Sequence, residues 1–199
     1  MESIHRCTSS SHSGRVPRPT PGVAIAIGVF LALVLHQPCR AADSPKPGEA
    51  APDFSLAYAT ADTVVFKGPS LQDEAKNGPI VLAFYPADWS PGCTKEVCTL
   101  RDSFDELGKL KVTVWAISGD NVFSHKAWAE HHHLPFRLLS DPKHEVAKAY
   151  GVFNDDSGFN RRTVFVVGKD GRIVYTDLQY SVADQTSFEA LKSALGKTG

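Results

Sequence analysis

No apolar run in this chain reaches the roughly 20 residues that a membrane-spanning helix needs. The longest, Val23 to Leu35, has thirteen, which excludes a multi-span membrane protein. Basic residues form no dominant block, and 21 Lys and Arg against 22 Asp and Glu leave a formal net charge of −1. That balance argues against non-specific nucleic-acid binding. There is no Gly-x-y period, which excludes a collagen, and 42% hydrophobic residues exclude a disordered tail. Cysteine is sparse, four in 199 residues, too few for a disulfide-dense mini-protein. Methionine occurs once, at position 1. What is left is the composition of a soluble globular protein, long enough for one domain plus an appendage. Its four cysteines allow two disulfides, one metal site, or something catalytic.

The N-terminus divides that cysteine count. Residues 1–22 carry His5, Arg6, Arg15 and Arg18 against a single acid, Glu2, and the Val23–Leu35 run follows. A run of that length matches the core of a signal peptide, which spans about 7–15 residues. Cys39 and Ala41 place small residues three before and one before a cut after Ala41. Residues 1–41 are therefore expected to be a cleaved export signal, giving a periplasmic or secreted protein. An uncleaved anchor, an organellar transit peptide or a misassigned start stand as alternatives, the last two with an organellar or cytoplasmic location. A lipoprotein reading fails because His36-Gln37-Pro38 is not the small, apolar context expected before Cys39. Residues 42–50, with Ser44-Pro45-Lys46-Pro47-Gly48, read as a linker, and 51–199 as the domain. Removing the leader takes Cys7 and Cys39 with it and leaves Cys93 and Cys98.

Within the domain, strand-like and helix-like runs alternate, which favours an α/β layer architecture. Pro79 to Tyr85 is nearly all apolar, as a central buried strand would be. Val112–Ser118 repeats the type, and Thr163–Val167 turns through Lys169-Asp170-Gly171 into Arg172–Asp177 as a hairpin. Val97, Leu100, Phe104 and Leu107 make one apolar helical stripe. Asn121–His131 and the Phe188, Leu191, Leu195 set predict two more helices, and Val64-Val65-Phe66 predicts an edge hairpin strand.

The segment from Tyr85 to Cys98 joins strand to helix. Pro86 ends the strand, Ser90 suits an N-cap and Pro91 the first helical position. Cys93 then falls in the first turn, where unpaired N–H groups and the helix dipole favour an anion and so the nucleophilic thiolate. The plainer alternative is a small buried hydrophobe. Five residues along a helix separate the Cα atoms of Cys93 and Cys98 by roughly 8–9 Å. A disulfide needs Cα atoms within about 7 Å. A bond between them demands local unwinding, which suits a redox pair that switches conformation and not a static bridge. An unrelated thiol on a helix face is the alternative for Cys98.

Pro86-x-x-x-Ser90-x-x-Cys93 resembles the peroxiredoxin active site, and Ser-Pro-Gly-Cys-Thr-x-Glu-x-Cys resembles its peroxiredoxin Q (bacterioferritin comigratory protein) branch. The likeness extends to Ala51–Leu56, Ile117–Asp120, Leu134–Phe136, Leu139–Asp141 and Arg162–Phe165, so it covers most of residues 47–195. It implies a thioredoxin-like fold in a single domain, with a central mixed sheet flanked by helices. It also implies a thiol peroxidase acting on hydrogen peroxide or alkyl hydroperoxides, with no metal or organic cofactor, and a monomer. Cys93 would be the peroxidatic thiolate. Ser90, where the family usually has threonine, would hydrogen-bond the peroxide and the sulfur. Arg162, rather than its neighbour Arg161, would stabilise the thiolate and the leaving oxygen. Pro86 would shield the pocket, and the N–H groups of Gly92 and Cys93 would donate to the substrate oxygen. Cys98 would resolve the sulfenic acid into a disulfide, which thioredoxin or a thioredoxin-like carrier would reduce.

Other conspicuous residues carry less. Trp89 stands at a position commonly acidic in that branch; packing is the simpler role, with pocket closure or preference for a bulkier hydroperoxide beside it. His131-His132-His133 reads as a solvated helix end, since adjacent helical residues point apart. Asp155-Asp156-Ser157-Gly158 is a turn and not a complete calcium loop. The lack of methionine after Met1 suits contact with an oxidant, and chance accounts for it too. The competing classes are an exported thioredoxin-like copper-binding chaperone, whose cysteines are usually one residue closer, and a general disulfide oxidoreductase, which would want Cys-x-x-Cys.

Overall fold

The computed structural model describes residues 43–103, 111–181 and 184–197. The leader and its cut after Ala41 lie outside them, as do Phe104 and Leu107 of the expected stripe.

The centre of the molecule is β3 (Ile80–Phe84), five residues all buried. A strand covered on both faces loses the polar alternation of a surface strand, and this one reads Ile-Val-Leu-Ala-Phe for that reason. It pairs in parallel with β4 (Thr113–Ser118) and antiparallel with β8 (Thr163–Val167). β4 pairs in parallel with β5 (Arg137–Ser140), which takes the hairpin β1 (Ala57–Ala59) and β2 (Val64–Val65) on its far side. β9 (Ile173–Asp177) closes the other edge. The result is one seven-stranded mixed sheet in the order β2-β1-β5-β4-β3-β8-β9, the mixed α/β layering expected from the sequence.

Side chains alternate across this sheet into two cores. Val81, Ala83 and Tyr85 face Cys93, Val97 and Leu100 of α2 (Pro91–Asp102) and Trp128 of α3 (Val122–His132). Phe188, Leu191 and Leu195 of α5 (Gln185–Leu195) complete that side. Ile80, Leu82 and Phe84 face Leu71 and Ala75 of α1 (Leu71–Ala75) and Val146 and Ala147 of α4 (Glu145–Ala149). Each large apolar side chain so buried contributes about 1.5–3 kcal/mol.

Two pairings fix the site. The register Phe84↔Thr163 sets the residue before β8, Arg162, beside the end of β3, where the chain turns into α2. The parallel β3–β4 pair sends both strands out at the same edge, so Ser118 and Asp120 meet the turn that leaves β3. Open α/β sheets place their sites in such a crevice, outside the carboxyl ends of the strands.

The expected strands at the centre, the β8–β9 hairpin and the two further helices are all present. α3 starts one residue later than expected because Asn121 is its cap, accepting from Phe123 and Ser124 N–H at 3.0 Å each. Edge strand β2 stops at Val65, and Phe66 lies beyond it, 71% exposed. Six short elements gave no periodic signal: β1, β5, α1, α4 and the two-residue strands β6 (Phe153–Asn154) and β7 (Phe159–Asn160), which pair across the Asp155–Gly158 turn. A helix of five residues completes only about one and a half turns, too few for a 3.6-residue period to show.

Phe165 packs between Phe84 (centroids 6.0 Å apart) and Tyr150 (5.2 Å). Phe165→Ala is expected to lower stability by about 3–5 kcal/mol in urea unfolding; a loss under about 1 kcal/mol would show that this core face relaxes freely.

Candidate active site

The turn Pro86–Ser90 carries the chain from β3 into α2. Ser90 is the N-cap: its hydroxyl accepts from the Cys93 N–H at 3.3 Å, and Pro91 opens the helix. Cys93 lies in the first turn with its side chain fully buried against the sheet. The expected donors to a substrate oxygen therefore stand differently. Cys93 N–H is held by Ser90, whereas Gly92, one position earlier, has no carbonyl of its own helix to bond. The Ser90 hydroxyl accepts from the amide of Cys93, which leaves its own hydrogen to donate elsewhere.

Arg162, the residue before β8, reaches this turn. Its Nη2 donates to Cys93 Sγ at 3.2 Å, and its Nη1 donates to Glu96 Oε2. Arg161 next to it is exposed, its backbone N–H bonded to Val152. A Cβ on Gly92 would come 2.8 Å from Arg162 Nη2. The absence of a side chain there lets the guanidinium lie across the first turn. Glu96 belongs to the sequence motif, and its partner explains its presence there: one turn after Cys93, its side chain is 1% exposed and pairs with Arg162. Burial pushes the Glu96 carboxyl up to about 7, with the Arg162 charge and hydrogen bond opposing. Burial pulls Arg162 down, but Glu96 and Cys93 outweigh it and its pKa rises. The second oxygen of Glu96 has no hydrogen-bond partner among the described residues.

A second polar group lies under the turn, and sequence reasoning missed it. Asp88 accepts from Tyr85 Oη at 2.8 Å and from Ser124 Oγ at 2.7 Å, and its oxygens stand 2.9 and 3.2 Å from His125 Nδ1. A lone histidine on a helix gives no sign of such a partner. Trp89, 51% exposed, donates from Nε1 to Ser124 Oγ at 3.3 Å and packs near His131 (5.7 Å) and His132 (6.2 Å). The three-histidine end of α3 is thus partly covered by an aromatic ring, where a solvated end was expected. Burial, with the neighbouring cations, lowers the pKa of His132.

Pro86, Ser90, Gly92, Cys93 and Arg162 come together at this one edge. Cys98 sits on the same helix, half-buried, and both thiols are free. Among the described residues no three His, Cys, Asp or Glu converge as a metal site, and no helix is long and apolar enough to cross a membrane.

A thiol at a capped helix start, facing an arginine on a mixed α/β sheet, defines the chain as a thioredoxin-like thiol protein. Residues 47–176 match the model of the AhpC/TSA family, and the chain belongs to that family. It is 41% identical over 129 residues to the chloroplastic peroxiredoxin Q of Triticum aestivum, covering 64% of this chain and 57% of that one. It is 34% identical over 152 residues to peroxiredoxin Bcp of Bacillus subtilis strain 168, covering 73% of this chain and 92% of that one. These relatives place it in the peroxiredoxin Q and Bcp branch. The chain spans only a little over half the length of several curated plant relatives. The crystal structure of peroxidoxin BcpB from Mycobacterium tuberculosis superposes with a TM-score of 0.67 at 29% identity, covering 78% of this chain and 99% of that one.

The raised Glu96 has a consequence for stability. Between the ordinary carboxylate value of 4.5 and about 7, the folded state keeps a proton that the unfolded state has lost. Stability therefore falls as pH rises through that window, by on the order of 3 kcal/mol. Glu96→Gln, which cannot ionise, is expected to remove this component from urea midpoints compared at pH 5 and pH 8. An unchanged pH slope in the variant would place the titration elsewhere.

Proposed function

We propose that this chain is a thiol peroxidase that reduces hydrogen peroxide and organic hydroperoxides through Cys93. The observation that carries the reading is the Arg162 guanidinium 3.2 Å from Cys93 Sγ at the capped start of α2. A cation and a helix N-terminus meet at this one sulfur, the surroundings in which reactive cysteines are found. The same guanidinium is placed to stabilise charge developing on a departing oxygen. Cys93 attacks one oxygen of the peroxide and the O–O bond breaks. The other oxygen leaves with the electron pair, takes a proton and departs as water or an alcohol. The sulfur, oxidised by two electrons, becomes a sulfenic acid. Pro86, half-buried in the turn, limits the access of water, and Ser90 and the Gly92 N–H orient the peroxide.

Cys98 is proposed as the resolving thiol. Its sulfur attacks the sulfenic acid, water leaves, and a disulfide forms once α2 unwinds. A dithiol carrier, thioredoxin or a thioredoxin-like protein, then takes the disulfide by exchange and returns both thiols. The monomeric state belongs to the same reading. The relatives named peroxiredoxin support the peroxidase reading, and none of the comparisons supports the copper-binding alternative. For the leader, relatives named chloroplastic support an organellar destination, the alternative to export.

Rapid mixing of the reduced protein with hydrogen peroxide tests the proposal. The thiol is expected to react far faster than free cysteine, Cys93→Ser to lose turnover, and Cys98→Ser to react once and stop at sulfenic acid. A rate equal to that of free cysteine, or full turnover by Cys93→Ser, would overturn the peroxidase reading. Unchanged thioredoxin-linked turnover in Cys98→Ser would overturn the resolving role alone. Protein isolated from its host is expected to begin close to Ala42 on N-terminal sequencing; a retained Met1 would remove the cleaved leader.

A further inference from the structure

His125 is fully buried on α3, and both its ring nitrogens face acceptors. Nε2 stands 3.2 Å from the Leu139 carbonyl oxygen, which can only accept, so Nε2 carries a hydrogen. Nδ1 stands 2.9 Å from Asp88 Oδ2. The two Asp88 oxygens already accept from Tyr85 and Ser124. With no proton between them, a ring lone pair would confront a carboxylate at hydrogen-bond distance inside the core, where unpaired polar groups are costly. One proton is therefore shared between His125 and Asp88, whichever of the two holds it formally.

What that proton secures is the turn before Cys93. The Asp88 N–H donates to Asp120 Oδ2 at 2.8 Å, and the Asp88 carbonyl accepts from the Ser90 N–H at 2.7 Å. Asp120 is itself fixed, its Oδ2 by Ser118 Oγ at 2.8 Å and its carbonyl by Ser140 Oγ at 2.6 Å. Between Asp88 and the helix cap sits Trp89 at φ +60, a left-handed conformation that disfavours a residue with a side chain by about 1–2 kcal/mol. The turn is strained, and the contacts of Asp88 hold it in place.

We propose that His125 is a positioning residue: the proton it shares with Asp88 pins the Pro86–Ser90 turn and so sets the start of α2 and the presentation of Cys93. The role rests on the peroxidase reading only for its kinetic consequence. Asp88→Asn is the informative variant, because an amide can donate to a neutral His125 Nδ1 and keep the link without the shared proton. His125→Leu and Asp88→Leu break it.

The test combines proton NMR, hydrogen exchange and peroxide kinetics on the full chain. The wild type is expected to show a slowly exchanging imidazole proton far downfield, bonded to His125 Nδ1 or shared with it, absent in His125→Leu. In both leucine variants, amide exchange is expected to rise in the peptide spanning residues 85–93 and to stay unchanged in β4 and β8. Their rate with hydrogen peroxide is expected to fall roughly ten- to a hundredfold, the scale of a misplacement of about 1 Å. Asp88→Asn should stay within about threefold of wild type, since a hydrogen-bonded link is retained. The proposal is overturned if the downfield proton is missing in the wild type, or if exchange rises throughout the chain. It is overturned equally if Asp88→Asn loses as much as Asp88→Leu, or if His125→Leu keeps the full wild-type rate. Should the protein prove inert to peroxide, the NMR and exchange results still decide the positioning role of His125.

Discussion

A carboxylate as deeply buried as that of Glu96 is unfavourable unless a cation meets it, and the cation available is Arg162. The pair ties α2 to the start of β8 across the sheet. It also aims the other arm of the guanidinium at Cys93 Sγ, 3.2 Å away. A flexible arginine side chain carries about 2 kcal/mol of rotamer entropy. Without Glu96 that freedom would have to be lost each time the guanidinium met the sulfur; with Glu96 it is lost on folding. Gly92 completes the arrangement by leaving open the space that a Cβ would take from Nη2. The carboxyl nevertheless sits near neutrality, at about 7, because burial works against the charge that the pair needs. The site therefore balances ion pairing against desolvation, within reach of ordinary solution pH.

The same helix carries two thiols that cannot meet while it is intact. Cys93, Val97 and Leu100 lie on its buried side, and Cys98 is only half-buried. A helix whose apolar side holds Cys93 in the core protects that sulfur from casual disulfide formation. The separation follows from the 1.5 Å rise and 3.6-residue turn alone, not from any special contact. On the proposed peroxidase reading, fold and chemistry pull in opposite directions, and local unfolding, which proteins carry out at well below the free energy of global unfolding, would resolve them.

How much of this could be read from the chain depends on range. β3, β4 and the β8–β9 hairpin announced themselves through continuous apolar runs, and the start of α2 through Ser90 and Pro91, because those signals are local. Arg162 came from a resemblance and not from physics, since nothing in its neighbourhood points 69 residues back to Cys93; the Phe84↔Thr163 register does that. Glu96 looked like one more charged residue in a helix until its burial was seen. Asp88 and His125 lie 37 positions apart, and only the parallel β3–β4 pairing brings them together. Buried polar networks between distant segments leave no period and no spacing in a sequence, which is why the core was legible and its polar contents were not.

On the peroxidase reading, the arrangement also says which end of α2 should yield when the thiols join. Moving Cys93 outward would break the Ser90 cap, the Arg162 contact and the burial of the sulfur, all at a turn already anchored through Asp88. Moving Cys98 inward would break helical hydrogen bonds and loosen Val97 and Leu100, while the cap and the Asp88 anchor stay in place. Net hydrogen-bond contributions of about 0.5–1.5 kcal/mol each make a turn or two of helix a modest loss. Stripping a cation from a buried sulfur is heavier, and it would come at the moment when the sulfenic acid still needs a defined position to be attacked. The balance favours a fixed Cys93 and a mobile Cys98. The distribution of burial along α2 agrees with that division: its fully buried sulfur lies in the first turn, and its second cysteine lies at the surface of the core.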